Sequence, residues 1–212
     1  MAWPQNQQAT KCGPSRAGPP NEPYKRGMIP LITHTPRLLL LAASRALLTA
    51  ELHKPQYFPV LLGAALPAEW PTGEHDRETM LYALDRLTEG GRTAAGWYGW
   101  YALRKADDDT PRTLIGAGGF MGPPDEAGTV EIGYSVAADW RGQGLATELV
   151  AGLVQQAANT SMVRRMVAHP GADDPASQQV LLHNGFELLG PAEDGRLRFE
   201  RAVEPTPPDA GF

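Results

Sequence analysis

The stretch TVEIGYSVAADWRGQGLATELVAGLVQQA, residues 129–157, decides how the rest of the chain is read. Its first eight residues alternate Val130, Ile132 and Tyr134 against Glu131, the pattern of a strand with one face turned to a core. Its last part sets Leu145, Leu149, Val150, Leu153, Val154 and Ala157 along one side of a helix that starts just after two glycines. A chain that turns from a strand through Arg141-Gly142-Gln143-Gly144 into a helix offers unpaired backbone N–H groups at the turn. The helix dipole adds about half an elementary positive charge at the same place. Gly142 and Gly144 keep side chains out of the way and Arg141 supplies a fixed cation, so the turn suits a pyrophosphate. It is not a P-loop, because no Gly-Lys-Ser/Thr follows. Nor is it a dinucleotide fingerprint, because Thr147 stands where a third glycine belongs.

Upstream of this unit, residues 37–43 form a short apolar run that reads as a strand, and Ser44 can cap a helix bearing Leu47, Leu48, Glu51 and Leu52. Asp76 opens a second amphipathic helix through Met80, Leu84 and Leu87, stopped by Gly90 and Gly91. Segments 97–105, 113–121 and 129–136 are β-rich and joined by turn-forming residues, which predicts an antiparallel meander. The pairs Trp97-Tyr98 and Trp100-Tyr101 in the first of these read as sheet packing rather than a pocket lining. Downstream come a strand near 166–168 and a helix with Asp174 as N-cap, Pro175 at its first position and Gly185 as its stop. A hairpin of 186–189 and 197–201, joined through Asp194-Gly195, ends the pattern.

Arg141, Gly144 and Ala146 resemble the Arg/Gln-x-x-Gly-x-Gly/Ala signature of the GNAT superfamily of N-acyltransferases. The likeness extends to Pro36-Arg37-Leu38, Leu114-Ile115-Gly116 with Gly119-Phe120, residues 130–136, Asp174-Pro175-Ala176-Ser177 and Asn184-Gly185-Phe186, covering about residues 35–203. Within the superfamily it is most similar to the branch that includes ribosomal-protein N-terminal acetyltransferases. The resemblance implies an α/β (α+β) fold: a mixed, mostly antiparallel sheet of about six or seven strands, flanked by helices and splayed at the cofactor site. It implies acetyl-CoA as cosubstrate and transfer of its acetyl group to a primary amine, of a protein N-terminus or a small molecule, by direct attack in a ternary complex without a metal.

By the same resemblance, backbone groups around Val136 pair with the pantetheine arm, and Gly142, Gln143, Gly144, Leu145, Ala146 and Thr147, with Arg141, hold the pyrophosphate. Glu131 takes the proton from the amine, directly or through water, since an ammonium has no lone pair with which to attack. Leu181 stands where many members carry a tyrosine that protonates the leaving thiolate, so Ser177 in the same helix is the candidate acid, with His183 as another proton carrier. Asp174 replaces an asparagine that usually contacts pantetheine. It serves either in the cofactor site or only as the helix cap. These departures also motivate a different reading, a catalytically silent acyl-CoA-binding sensor or interaction module.

Composition sets the outer limits. The chain has 212 residues, 42% apolar and 20% charged, enough for one well-packed domain. A net charge of −5 gives no basic face for nucleic acid and is compatible with a cationic acceptor. Cys12 is the single cysteine, so no internal disulfide or Cys-rich zinc site forms, which fits a cytoplasmic protein. No apolar run approaches the ~20 residues of a membrane span. Oligomeric state has no signature in the sequence. Residues 1–30 are Pro-rich and basic and read as a flexible tail, and residues 204–212 as a flexible end. Deletion of residues 1–28 is expected to leave the thermal unfolding temperature and CoA affinity unchanged; a large drop in either would show that the tail docks on the domain.

Overall fold

The computed structural model describes residues 31–73 and 75–205; the expected tail over 1–30, Cys12 included, and the end from 206 lie outside these residues. The strands are β1 (Ile32–His34), β2 (Leu38–Ala42), β3 (Tyr98–Arg104), β4 (Thr113–Met121), β5 (Thr129–Val136), β6 (Arg165–Ala168), β7 (Glu187–Pro191) and β8 (Leu197–Ala202). The α-helices are α1 (Arg45–His53), α2 (Phe58–Leu62), α3 (Arg77–Gly90), α4 (Leu145–Thr160) and α5 (Pro175–His183). They surround one sheet of order β1-β2-β3-β4-β5-β6-β8-β7. All neighbouring strands are antiparallel except β5 and β6, whose parallel pairing is made by the crossover through α4.

Eight strands exceed the six or seven expected. The addition is β1, which pairs Ile32 with Leu41 and His34 with Leu39. Three residues cannot display a period of two, and two of the three are exposed, so no hydrophobic pattern marks the strand. It also carries the sheet upstream of residue 35. The short α2 was likewise not expected; Pro59 sits in its first turn, where a missing N–H is harmless, and Gly63 stops it at φ 67°.

Both faces of the sheet are covered, and the strand sequences show it. In β3, Trp100 and Ala102 enter a core beneath α4 and α5 with Leu40, Ile115, Val130, Ile132, Leu149 and Leu153. Tyr101 and Leu103, on the other side, join Leu48, Phe58, Leu62, Met80, Leu87 and Leu114 beneath α1, α2 and α3. The inner strands therefore read as continuous apolar runs rather than as alternation. Trp97, Trp100 and Tyr101 are fully buried, as expected of packing residues. On α4, a Cβ at Gly152 would meet Leu40 Cδ1 at 2.4 Å, so only glycine lets this helix lie so close to β2.

The expected caps form. Ser44 Oγ accepts the Leu47 N–H at 3.2 Å and Asp76 Oδ1 the Thr79 N–H at 2.8 Å. Between α2 and α3 the chain runs as a strap, pinned by the α1 carboxylate of Glu51. Its Oε1 accepts from Trp70 Nε1 at 2.6 Å and lies 3.0 Å from His75 Nε2, while Oε2 accepts from the Tyr101 hydroxyl at 2.5 Å. Burial pushes the Tyr101 hydroxyl well up, and the Glu51 charge and hydrogen bond push it further, so it remains a donor. The Glu51 side chain is only 5% exposed. Glu51→Ala is expected to cost about 2–4 kcal/mol, because it leaves buried donors without an acceptor; urea unfolding of variant and wild type measures it, and a loss below about 0.5 kcal/mol would show the cluster to be incidental.

Candidate active site

The parallel ladder is short. Thr129 pairs with Arg165, Val130 with Met166 and Glu131 with Val167, and there it stops. Beyond Glu131, β5 pairs only with β4, from Ile132 opposite Phe120 to Val136 opposite Gly116. The strands part here and open a cavity of about 560 Å³, lined by residues 132–136 on one side and 168–171 on the other. The N-termini of α4 and α5 border it, and Gly73 brings in the strap, held by Ser135 Oγ donating to the Thr72 carbonyl at 2.8 Å. The backbone edge of β5 beyond Glu131 has no strand opposite it and is open to a ligand.

Val136, Arg141, Gly142, Gly144, Leu145, Ala146 and Thr147 all border this cavity. Gly142 and Gly144 have φ of 72° and 74°, a left-handed backbone that other residues enter at a cost. Gly144 is the N-cap of α4 and provides no capping side chain, which leaves first-turn N–H groups for an anion. A phosphate group fits this donor set. Arg141 Nε donates to the Val136 carbonyl at 2.8 Å and ties the loop to the end of β5. Gln143 does not line the cavity; its amide turns back to the Asp139 carbonyl at 3.2 Å.

Arg37 and Glu148 were given no role from the sequence, yet they hold this loop. Glu148, in the first turn of α4, accepts from the Thr35 hydroxyl at 2.6 Å, the Arg37 N–H at 2.6 Å and Arg37 Nε at 2.7 Å. Arg37 Nη1 donates to the Gln143 carbonyl at 2.9 Å. Burial raises the Glu148 carboxyl, but the Thr35 and Arg37 hydrogen bonds and the Arg37 charge outweigh it and the net shift is down. The carboxylate beside the anion cradle is thus ionised and neutralised by its own partner.

At the second helix, Asp174 lines the cavity and caps α5, accepting the Ser177 N–H at 3.0 Å. Its carboxyl is raised by burial but lowered more by hydrogen bonds from Ser177 and Ala176 and by the Arg141 charge. Ser177 also lines the cavity, and its carbonyl accepts the Tyr134 hydroxyl at 3.0 Å. Asn184 Nδ2 donates to the Thr147 carbonyl at 3.1 Å and joins α5 to the first turn of α4. Leu181 is buried in the cavity wall, a packing residue. His183 is exposed, with Nδ1 2.7 Å from the Gln179 carbonyl, and does not reach the cavity.

Glu131 lies where the ladder ends, half-buried, facing the cavity. His169, which the sequence reading passed over, meets it with Nδ1 2.9 Å from Oε1. Arg196 of the β7–β8 turn borders the same end. A signal for His169 existed: it follows directly on the strand parallel to β5, and ligands of parallel sheets gather at such carboxyl ends. Among the described residues, no group of three or more His, Cys, Asp or Glu side chains is arranged to hold a metal, and no helix is long and apolar enough to cross a membrane.

Residues 47–187 match the acetyltransferase (GNAT) domain family, and the chain belongs to that family. It is an acyltransferase by that membership. An N-acetyltransferase of Bacillus subtilis, YjdG, is 30% identical over 127 residues, 60% of this chain and 72% of that protein. The ribosomal-protein-serine acetyltransferase of Escherichia coli is 39% identical over 62 residues, 29% of this chain and 35% of that one. Among solved structures, the ribosomal L7/L12 α-N-protein acetyltransferase RimL in complex with CoA shares the fold at a TM-score of 0.56 and 19% identity, over 84% of this chain and 99% of its own. Gly144→Glu is expected to abolish CoA binding in calorimetry while the protein stays folded by circular dichroism, since a carboxylate then occupies the anion site; unchanged affinity would displace the cradle from this loop.

Proposed function

We propose that the chain transfers the acetyl group of acetyl-CoA to a primary amine by direct attack in a ternary complex. One observation carries this reading: the uncapped N-terminus of α4 and the Glu131 carboxylate border the same cavity at the break in the sheet. The loop residues from Arg141 to Thr147 would hold the pyrophosphate, Gln143 through its backbone, and the open edge of β5 at Val136 would hold the pantetheine arm. Asp174 orients the first turn of α5 beside that arm. Acetyl-CoA would supply the activated acyl group. Glu131 would take the amine proton, directly or through water, and Ser177, one of the hydroxyl-bearing residues lining the cavity, would return one to the leaving thiolate. The catalytic unit would be residues 35–203 together with β1, and a single cysteine in the chain is compatible with a cytoplasmic setting.

The acceptor is the α-amine of a protein N-terminus or the amine of a small molecule. The first is supported by the ribosomal-protein acetyltransferases among the relatives. Leu181, buried where a hydroxyl would serve as an acid, favours the second reading of a silent acyl-CoA-binding module. A thiol-release assay with acetyl-CoA against N-terminal peptides and small amines separates the two, because a sensor binds without turnover. With an acceptor found, Glu131→Gln is expected to lower kcat about 10²- to 10⁴-fold and leave CoA affinity nearly unchanged. A variant as fast as wild type at neutral pH would remove Glu131 from the chemistry.

A further inference from the structure

His169 is a titratable imidazole lining the cavity beside Glu131 that the proposed reaction has not used. It lies two residues beyond Val167, the register partner of Glu131, and so extends the same face of the sheet. The contact between Nδ1 and Glu131 Oε1 is 2.9 Å, and the imidazole is the deeper partner, 15% exposed against 38%. No hydrogen bond to Nε2 occurs among the described residues, although both side chains line the cavity. A carboxylate facing Nδ1 requires the proton on that nitrogen, since two acceptors cannot face each other at this distance. Nε2 then carries a lone pair.

Other charged groups near the pair are already engaged. Arg196 Nη1 donates to the His169 carbonyl at 3.4 Å and Nε to Asp194 at 2.7 Å. Hydrogen bonds from the Arg196 side chain and backbone hold the Asp194 carboxyl below its ordinary range, with the nearby imidazole contributing. On the same sheet face, Glu200 is paired with Arg165 at 3.1 Å and Arg198 at 3.2 Å. Arg141 and Asp174 border the cavity at its phosphate end. Glu131 is therefore the carboxylate in contact with the imidazole.

We infer that Nε2 of His169 is the atom that takes the amine proton, with Glu131 acting through it. The lone pair of the neutral amine forms the bond to the acyl carbon, the carbonyl π pair moves to oxygen and, as it returns, the C–S bond breaks with its pair leaving on the CoA sulfur. An N–H bond breaks with the pair staying on nitrogen, and that proton passes to the Nε2 lone pair. The resulting imidazolium is stabilised by the Glu131 carboxylate, which stays ionised, and gives its Nε2 proton to solvent after turnover. An imidazole can take a proton on one ring nitrogen while its other N–H stays on the carboxylate, so the pair accepts the proton without breaking its own contact. The inference rests on the acetyltransfer reading above and places an imidazole between the amine and Glu131 in it.

Two measurements test it. The first needs no acceptor: ¹⁵N NMR of the His169 ring in the free full-length protein, above the pH at which the ring titrates. Protonation at Nδ1 in wild type, with a shift toward protonation at Nε2 in Glu131→Ala, is expected; a wild-type ring protonated at Nε2 overturns the dyad and leaves the acetyltransfer reading intact. The second is kinetic. His169→Gln is expected to lower kcat about 10²- to 10³-fold with KM for acetyl-CoA and the unfolding temperature unchanged, and the double variant with Glu131→Gln to be no slower than the slower single one. A His169→Gln enzyme within twofold of wild type beside a slow Glu131→Gln enzyme overturns the inference and leaves Glu131 acting directly. Wild-type rates in both would remove the pair altogether.

Discussion

The early end of one parallel ladder governs this molecule. Hydrogen bonding between β5 and β6 closes after Glu131 and Val167, although β5 runs five residues further. Within a sheet the unmet backbone groups of those residues would be costly. Here they border a cavity, and the groups that the sheet leaves open become the groups a ligand can use. The end of the ladder also places Glu131 as the last paired residue of β5 and brings His169 beside it.

The cavity has two ends with opposite electrostatic character. At one, the α4 N-terminus and Arg141 favour an anion, and the carboxylate that could oppose it, Glu148, is engaged by Arg37 and Thr35. At the other, the Glu131 carboxylate and the His169 imidazole meet at 2.9 Å. Asp174 belongs to the first end, beside Arg141, with its carboxylate accepting the Ser177 N–H at the α5 cap. Charge is thus separated along one cleft, which suits a reaction joining an anionic donor to a basic acceptor.

Rigidity behind the site comes from burial on both faces of the sheet. The core under α4 and α5 buries Leu145, Leu149, Val150 and Leu153 of α4, and Gly152 allows that helix its close approach to β2. The opposite face holds the strap through Glu51, whose three donors come from the strap and β3. The strap in turn supplies Gly73 to the cavity. A carboxylate far from the chemistry thereby shapes one wall of it.

What was legible from sequence is what is local. The strand–loop–helix unit over 129–157, the Ser44, Asp76 and Asp174 caps and the closing hairpin follow from periodicity and from residues within four positions of one another. The nine-residue span of β4, Thr113–Met121, is bounded by turn formers at both ends. Other features had no local mark. β1 is too short for a pattern; Arg37 meets Glu148 across 111 positions, Tyr101 meets Glu51 across 50, and His169 meets Glu131 across 38. Family resemblance pointed to Glu131, but only the folded chain brings an imidazole to its carboxylate. Side-chain partnership of this kind is decided by strand register and by where a ladder ends, and neither is set by any single segment of sequence.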